Sequence, residues 1–206
     1  FSSLKIFDFV GGMRDLNNGV LRLIGDPAAR FGEDPVRVLR AVRFSESLNL
    51  EIAGFSDTQL KKYGAQLRHI PPARLFLEMD KLFLRGFASR NFRRLRELGL
   101  LSHLLPFEGC GQNPPSNSVR EDFIERALSG TDIRVKEGGS VTLGFLIAVF
   151  LWFPLKNQIE KISKFENVIA KDFVSAEELI LLTQLKKVAI PRRVTKSVRE
   201  IWALQR

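Results

Sequence analysis

The chain has 206 residues, of which 45% are hydrophobic and 27% charged. That balance excludes a disordered or collagen-like polypeptide and suffices for one large globular domain or two small ones. A single cysteine, Cys110, excludes an internal disulfide and a Cys-rich metal cage, and a net charge of +9 points to an anionic partner, nucleic acid before membrane.

The first ten residues, FSSLKIFDFV, lack the charged-then-apolar layout and small-residue cleavage site of a signal peptide. Over residues 1–25, apolar runs on both sides of Gly11-Gly12 and Asn17-Asn18-Gly19 predict a short β segment with a hairpin turn. A Gly-Gly turn between strands needs no ligand. From Asp26 onward the pattern is helical. Asp34-Pro35 opens a helix, with Asp as N-cap, Pro in the first position, and Val38, Leu39 and Val42 on one side. Further helices are predicted at 56–67, 72–85, 88–98, 119–129, 140–152, 156–164, 173–187 and 191–205. A loop rich in Gly, Pro and Asn, 107–118, separates two helical groups. The expected fold is mainly α, divided into 1–25, 26–106 and 107–206, with a β remnant at the start. The most apolar stretch, 141–155, is 15 residues long and contains Pro154, short of the roughly 20 that cross a bilayer. It reads as a core helix, with no membrane partner and a cytoplasmic location expected.

Chemistry concentrates on the helix that begins at Asp34. At about 100° per residue, Asp34, Arg37, Arg40 and Arg43 form a slowly drifting polar stripe opposite the apolar side. A fixed carboxylate offers only acceptors and a fixed guanidinium only donors. Adenine and cytosine each present an amino donor beside a ring-nitrogen acceptor, which an Asp/Arg pair satisfies; guanine and uracil meet the same pair with both signs reversed. Two mismatched buried polar groups cost several kcal/mol in order of magnitude, enough for discrimination. Arginines one turn further on suit a triphosphate through bidentate contacts. The plainer alternative is an amphipathic surface helix with an acidic cap and solvated arginines.

The run from Gly12 through Asp15, Gly19, Arg22, Gly25 and Pro27, followed by Glu33-Asp34-Pro-Val-Arg37-Val-Leu-Arg40-Ala-Val-Arg43-Phe44, resembles the class II nucleotidyltransferases. These are the bacterial poly(A) polymerases and the CCA-adding tRNA nucleotidyltransferases. The resemblance implies that Asp34 and Arg37 read the incoming base and that Arg40 and Arg43 complete the nucleotide pocket, with Glu33 in support. Ile70-Pro-Pro-Ala-Arg74-Leu-Phe-Leu-Glu78 is similar to the family's next motif, where Arg74 and Glu78 would brace the nucleotide-binding helices; as an i, i+4 pair they also suit simple helix support. The segments 150–155 and 189–205 resemble the poly(A) polymerase branch more than the CCA-adding one. The implied activity is addition of AMP from ATP to RNA 3′ ends, the alternatives being CCA addition to tRNA or a non-catalytic RNA-binding protein.

In that family two divalent metals, Mg2+ in expectation, are held by carboxylates of a Gly-Ser…Asp-x-Asp head and an Arg-Arg-Asp motif. This sequence has no Asp-x-Asp and no Arg-Arg-Asp, and its Gly139-Ser140 leads into the apolar helix. The expected ligands therefore lie outside these residues, no catalytic or metal-ligating residue is assigned, and the 206 residues alone are expected not to add nucleotides. Basic residues cluster at Arg85, Arg90, Arg93, Arg94 and Arg96, and again at Lys186, Lys187, Arg192, Arg193, Lys196, Arg199 and Arg206. Sequence-independent contact with RNA phosphates needs such a cluster, and the second is the expected RNA-binding surface. His69 and His103 read as packing residues, Cys110 as a poor nucleophile, and Trp152 and Trp202 as core.

Overall fold

The computed structural model describes residues 6–106, 119–162 and 170–205. Residues 107–118, expected as a loop and including Cys110, and Arg206 fall outside them. Helix α1 (Gly12–Asn17) starts under the Asp8 carboxylate, which accepts from the N–H groups of Val10, Gly12 and Met13 at 3.2, 2.9 and 2.8 Å. These donors, Met13 and Gly12 foremost, hold the Asp8 carboxyl below its usual range. Gly11, at φ 76°, takes the left-handed conformation that lets the chain enter the helix. Buried Asp15 then accepts twice from Arg22, at 2.8 and 3.2 Å, and fastens α1 to strand β1 (Val20–Leu21).

This replaces the expected hairpin. Asn17-Asn18-Gly19 ends a helix, and β1 pairs in parallel with β2 (Glu51–Ile52), with Val20 opposite Glu51 and Leu21 opposite Ile52. A parallel pair needs a long crossover, here supplied by α2 (Pro27–Glu33) and α3 (Val36–Leu48). Asp26 caps α2 by accepting from Ala29 N–H at 2.8 Å. Asp34 has extended backbone and its Oδ1 accepts from Val36 N–H at 3.2 Å; α3 starts one residue later than expected, with Pro35 at the N-cap position, and the Asp34 carboxylate still satisfies the first helical N–H. Asn49, in the left-handed region, stops it.

The rest is helical: α4 (Asp57–Gly64), a 3-10 turn (Ala65–His69), α5 (Pro72–Phe83), α6 (Ala88–Glu97), α7 (Leu101–Leu104), α8 (Val119–Lys136), α9 (Leu143–Phe150), α10 (Trp152–Ile162), α11 (Ala170–Lys187) and α12 (Arg192–Ala203). A Ser56/Gln59 capping box starts α4. Helix α8 outruns its expected end because Gly130, whose helical cost is about 1 kcal/mol, is followed by Thr131 and Asp132, both buried. The Asp132 carboxylate caps α6, accepting from Ala88 and Ser89 N–H at 2.6 and 3.0 Å.

One apolar core runs from Phe31 to Trp202. Helix α3 packs on α4, α5 and α6; α6 on α8; α9 on α12. Phe150 of α9 meets Phe83 and Phe92 at centroid separations of 5.3 and 5.7 Å, so residues on both sides of 107–118 share that core. Gly144 permits close approach of α9 and α12, since an added Cβ would lie 3.2 Å from Ser197 Cβ. Trp202 donates to the Ala148 carbonyl at 3.0 Å and is buried; Trp152 is half-buried against the same core. Among the described residues, no helix is long and apolar enough to cross a membrane.

Candidate nucleotide site and nucleic-acid interface

Because α3 and α5 pack side by side, the polar stripe of α3 faces charged residues of α5. Arg74 Nη2 donates to Asp34 Oδ2 at 2.6 Å. One oxygen of Asp34 thus caps its own helix and the other is held by α5, which fixes the carboxylate in one orientation while leaving lone pairs for a further donor. Six residues along α3, Arg40 Nε donates to Glu78 Oε1 at 3.1 Å, and Lys81 donates to the same oxygen at 3.2 Å. The Glu78 side chain is only 3% exposed, so two cations offset the cost of burying its charge. Arg74 and Glu78 do not pair with each other along α5; each reaches to α3.

Arg37 and Arg43 differ from their neighbours. Among the described residues neither has a carboxylate partner, and the Nε atom of each is buried without a hydrogen bond. The Arg43 guanidinium lies 4.2 Å from the Phe44 ring centroid, a cation–π arrangement that holds the group without neutralising it. The stripe therefore comprises two groups braced by α5, Asp34 and Arg40, and two arginines whose charge is uncompensated. A braced acceptor with an unpaired donor one turn away is the arrangement that an amino-and-ring-nitrogen base edge requires. Glu33 stands apart, exposed at the end of α2 and paired with Arg30 at 2.8 Å. The extended backbone at Asp34 turns α3 away from it.

The two basic clusters have different surroundings. On α6, Arg90 pairs with Glu46 of α3, Arg94 with Asp57 of α4, and Arg93 and Arg96 with Glu125 and Glu121 of α8. The Arg94 guanidinium holds the Asp57 carboxyl below its usual range. These arginines join helices to one another, while Arg85 stays exposed. At the C-terminal cluster, Lys186, Arg192, Arg193 and Arg199 are exposed, and among the described residues they have no carboxylate within 4.0 Å. Lys196 makes a loose 3.8 Å pair with Glu200, and Lys187 donates to the Ser102 carbonyl at 2.7 Å. Helix α12 can present this charge because Val198 and Trp202 bury its other side.

His69 departs from the expected packing role. It is exposed and accepts from Arg68 Nε at 2.9 Å. His103 is half-buried, and burial, with Lys187 and Arg68 nearby, lowers its pKa. Among the described residues no group of three His, Cys, Asp or Glu side chains is arranged to hold a metal. Among the buried carboxylates, Asp15 is committed to Arg22, Asp132 to the start of α6, and one oxygen of Glu78 to Arg40 with Lys81. These residues do not fit a catalytic metal pair.

Residues 49–107 match the family described as "Probable RNA and SrmB- binding site of polymerase A", and residues 168–206 match "Polymerase A arginine-rich C-terminus". The chain is 39% identical over 205 residues to poly(A) polymerase I of Salmonella typhi, across 99% of this chain and 44% of that relative. It thus spans less than half the length of the curated relatives it matches over its whole extent. It is 35% identical over 100 residues, 48% of this chain, to the CCA-adding enzyme of Anoxybacillus flavithermus, of which that stretch is 25%. The Thermotoga maritima CCA-adding enzyme complexed with tRNA shares the fold, with a TM-score of 0.58 at 22% identity over 95% of this chain and 41% of that one. Over nearly its whole length the chain is similar to bacterial poly(A) polymerases, and over about half of it to CCA-adding enzymes, the two branches of the class II nucleotidyltransferases.

Proposed function

We propose that these residues select the nucleotide and hold the RNA in a template-independent polymerase that adds AMP from ATP to RNA 3′ ends. The observation that carries this reading is the α3–α5 pairing: Asp34 is fixed by Arg74 at 2.6 Å while Arg37, one turn on, keeps an uncompensated guanidinium. In this reading Asp34 accepts from the adenine amino group, Arg37 donates to the ring nitrogen, and Arg43 with the free Nη groups of Arg40 faces the triphosphate. Arg74 and Glu78 are positioning residues. They set the acceptor and one of the cations before the nucleotide arrives, so that less ordering is needed on binding.

The exposed cations Lys186, Arg192, Arg193, Lys196 and Arg199 contact RNA phosphates, which suits an enzyme that accepts many 3′ ends, and Lys187 contributes from the rim. Mg2+ and its carboxylate ligands belong to a catalytic head outside the residues present here, so the 206-residue chain alone adds no nucleotide. The relatedness over 99% of the chain to a poly(A) polymerase, against 48% for the CCA-adding enzyme, favours the first activity. The chemistry of the base edge does not decide it, since cytosine suits the same pair.

Incorporation by the head-containing enzyme tests the reading. ATP should be added repeatedly to an unrelated oligonucleotide, with CTP a poor substrate. Ordered addition of CTP and then ATP, confined to a tRNA lacking its 3′ end, would instead establish CCA addition. With the 206-residue chain and Mg2+, any robust tailing would overturn the assignment of the chemistry to a separate head.

A further inference from the structure

A second concentration of positive charge lies away from α3, where the 3-10 turn, the start of α5, α7 and the end of α11 enclose a groove of about 410 Å3. Five of its lining residues are basic or imidazole: Arg68, His69, His103, Lys186 and Lys187. No aspartate or glutamate lines it. This is the opposite of the α6 surface, where arginines from one helix meet carboxylates from three others. We infer that this groove is a phosphate-binding site that takes the phosphodiester backbone of an RNA strand, carrying it from the C-terminal basic surface onto the 3-10 turn and the start of α5. The inference rests on the RNA-binding reading above and extends it to Arg68, His69 and His103.

The hydrogen-bond inventory leaves the groove lined with donors. Arg68 uses Nε on His69, so its terminal nitrogens remain available. The His69 Nε2 that accepts this bond places the ring proton on Nδ1, a further donor. Lys187 spends one ammonium proton on the Ser102 carbonyl; two remain. Lys186 is exposed and, among the described residues, has no carboxylate within 4.0 Å. His103 has no side-chain hydrogen bond among the described residues and sits between the Lys187 and Arg68 charges, which with burial disfavour its protonation.

The groove is also held in shape. Gln184 donates to the Leu104 carbonyl at 2.8 Å, and Ala189 N–H to the Pro72 carbonyl at 3.1 Å, tying the end of α11 and the residues after it to α7 and α5. These bonds bring the two lysines, far from His103 in sequence, to one wall. An anion bound there would reverse the field at His103 and favour its protonated form. RNA binding should therefore tighten as pH falls through the His103 titration. The charges acting on that ring are Lys187 of α11 and Arg68 of the 3-10 turn, with His69 and Lys186 lining the same groove.

Arg68 and Lys186 are exposed, so Arg68→Ala combined with Lys186→Ala removes charge without opening the core. With an oligoadenylate and the 206-residue chain, affinity should fall about tenfold, and the slope of log K against log salt should shrink by about 0.7 for each phosphate no longer neutralised. The thermal midpoint should not move. His103→Gln should weaken the tightening at low pH, and in the unsubstituted chain the oligonucleotide should shift the His103 ring signals in NMR. If Arg192→Ala with Arg193→Ala weakens binding but the groove variants leave affinity and salt slope unchanged, the inference is wrong while the RNA-binding reading stands. If the chain binds no oligonucleotide, the broader reading has failed and this one with it. If inorganic phosphate shifts His103 and the oligonucleotide does not, the site serves free phosphate and the RNA assignment is overturned.

Discussion

Helices α6 and α12 are both rich in arginine, and they use it in opposite ways. Arginines of α6 are matched across helix boundaries, Arg90 to Glu46, Arg93 to Glu125, Arg94 to Asp57 and Arg96 to Glu121. Helix α12 instead turns Arg192, Arg193 and Arg199 outward and anchors itself with Val198 and Trp202. The first helix uses its charge in assembling the fold; the second leaves it exposed. Local charge density does not separate the two cases, whereas the presence of carboxylates on adjoining helices does.

The largest effect that sharpens this contrast is on the anchor of α12. Trp202→Ala removes a ring that fills the α9–α12 contact and donates to Ala148, and should cost about 3–5 kcal/mol. For a chain of this size that lowers the thermal midpoint by roughly 6–20 °C, which calorimetry will read. Next comes the exposed face. Arg192→Ala with Arg193→Ala should weaken oligoadenylate binding about tenfold and reduce the salt slope by about 1.4, with stability unchanged. An unaltered slope would show that Arg192 and Arg193 touch no phosphate.

Arg94→Ala should do the reverse, costing about 1 kcal/mol in denaturant unfolding while leaving RNA affinity as it was. The smallest effect is the pH dependence of that cost. Asp57 has a folded pKa held below its ordinary value of 3.8, chiefly by the Arg94 hydrogen bond, so the pair's contribution is present above that value and fades as pH falls through the folded pKa. The gap between the chain and its Arg94→Ala variant should narrow below about pH 3.8. A gap independent of pH would mean that Arg94 acts through packing alone.

Much of the helical layout was legible because its signals are local. Asp34-Pro35 carries its own cap and first turn, Pro72 and Pro191 mark helix starts, and the apolar 141–155 run becomes the buried α9 and its continuation. The polar stripe of α3 was readable too, since it depends only on spacing. What escaped depends on distant partners. Strands of two residues cannot announce a parallel partner thirty-one positions away, and Asn-Gly reads as a hairpin turn unless the helix before it is known. The α6 arginines look like an RNA surface until the carboxylates of α3, α4 and α8 are brought to them. The groove at His103 is built by segments that only the folded chain brings together; a lone histidine among leucines carries no sign of two lysines on α11.

The central claim is that Asp34 and Arg37 choose the base. Its most direct test is the ratio of ATP to GTP incorporation by the head-containing enzyme carrying Asp34→Ala or Arg37→Ala. Removing either partner should reduce that ratio at least about tenfold, the order expected when one matched polar interaction with a base is deleted, with oligonucleotide affinity nearly unchanged. A ratio equal to that of the unsubstituted enzyme in both variants would contradict the claim.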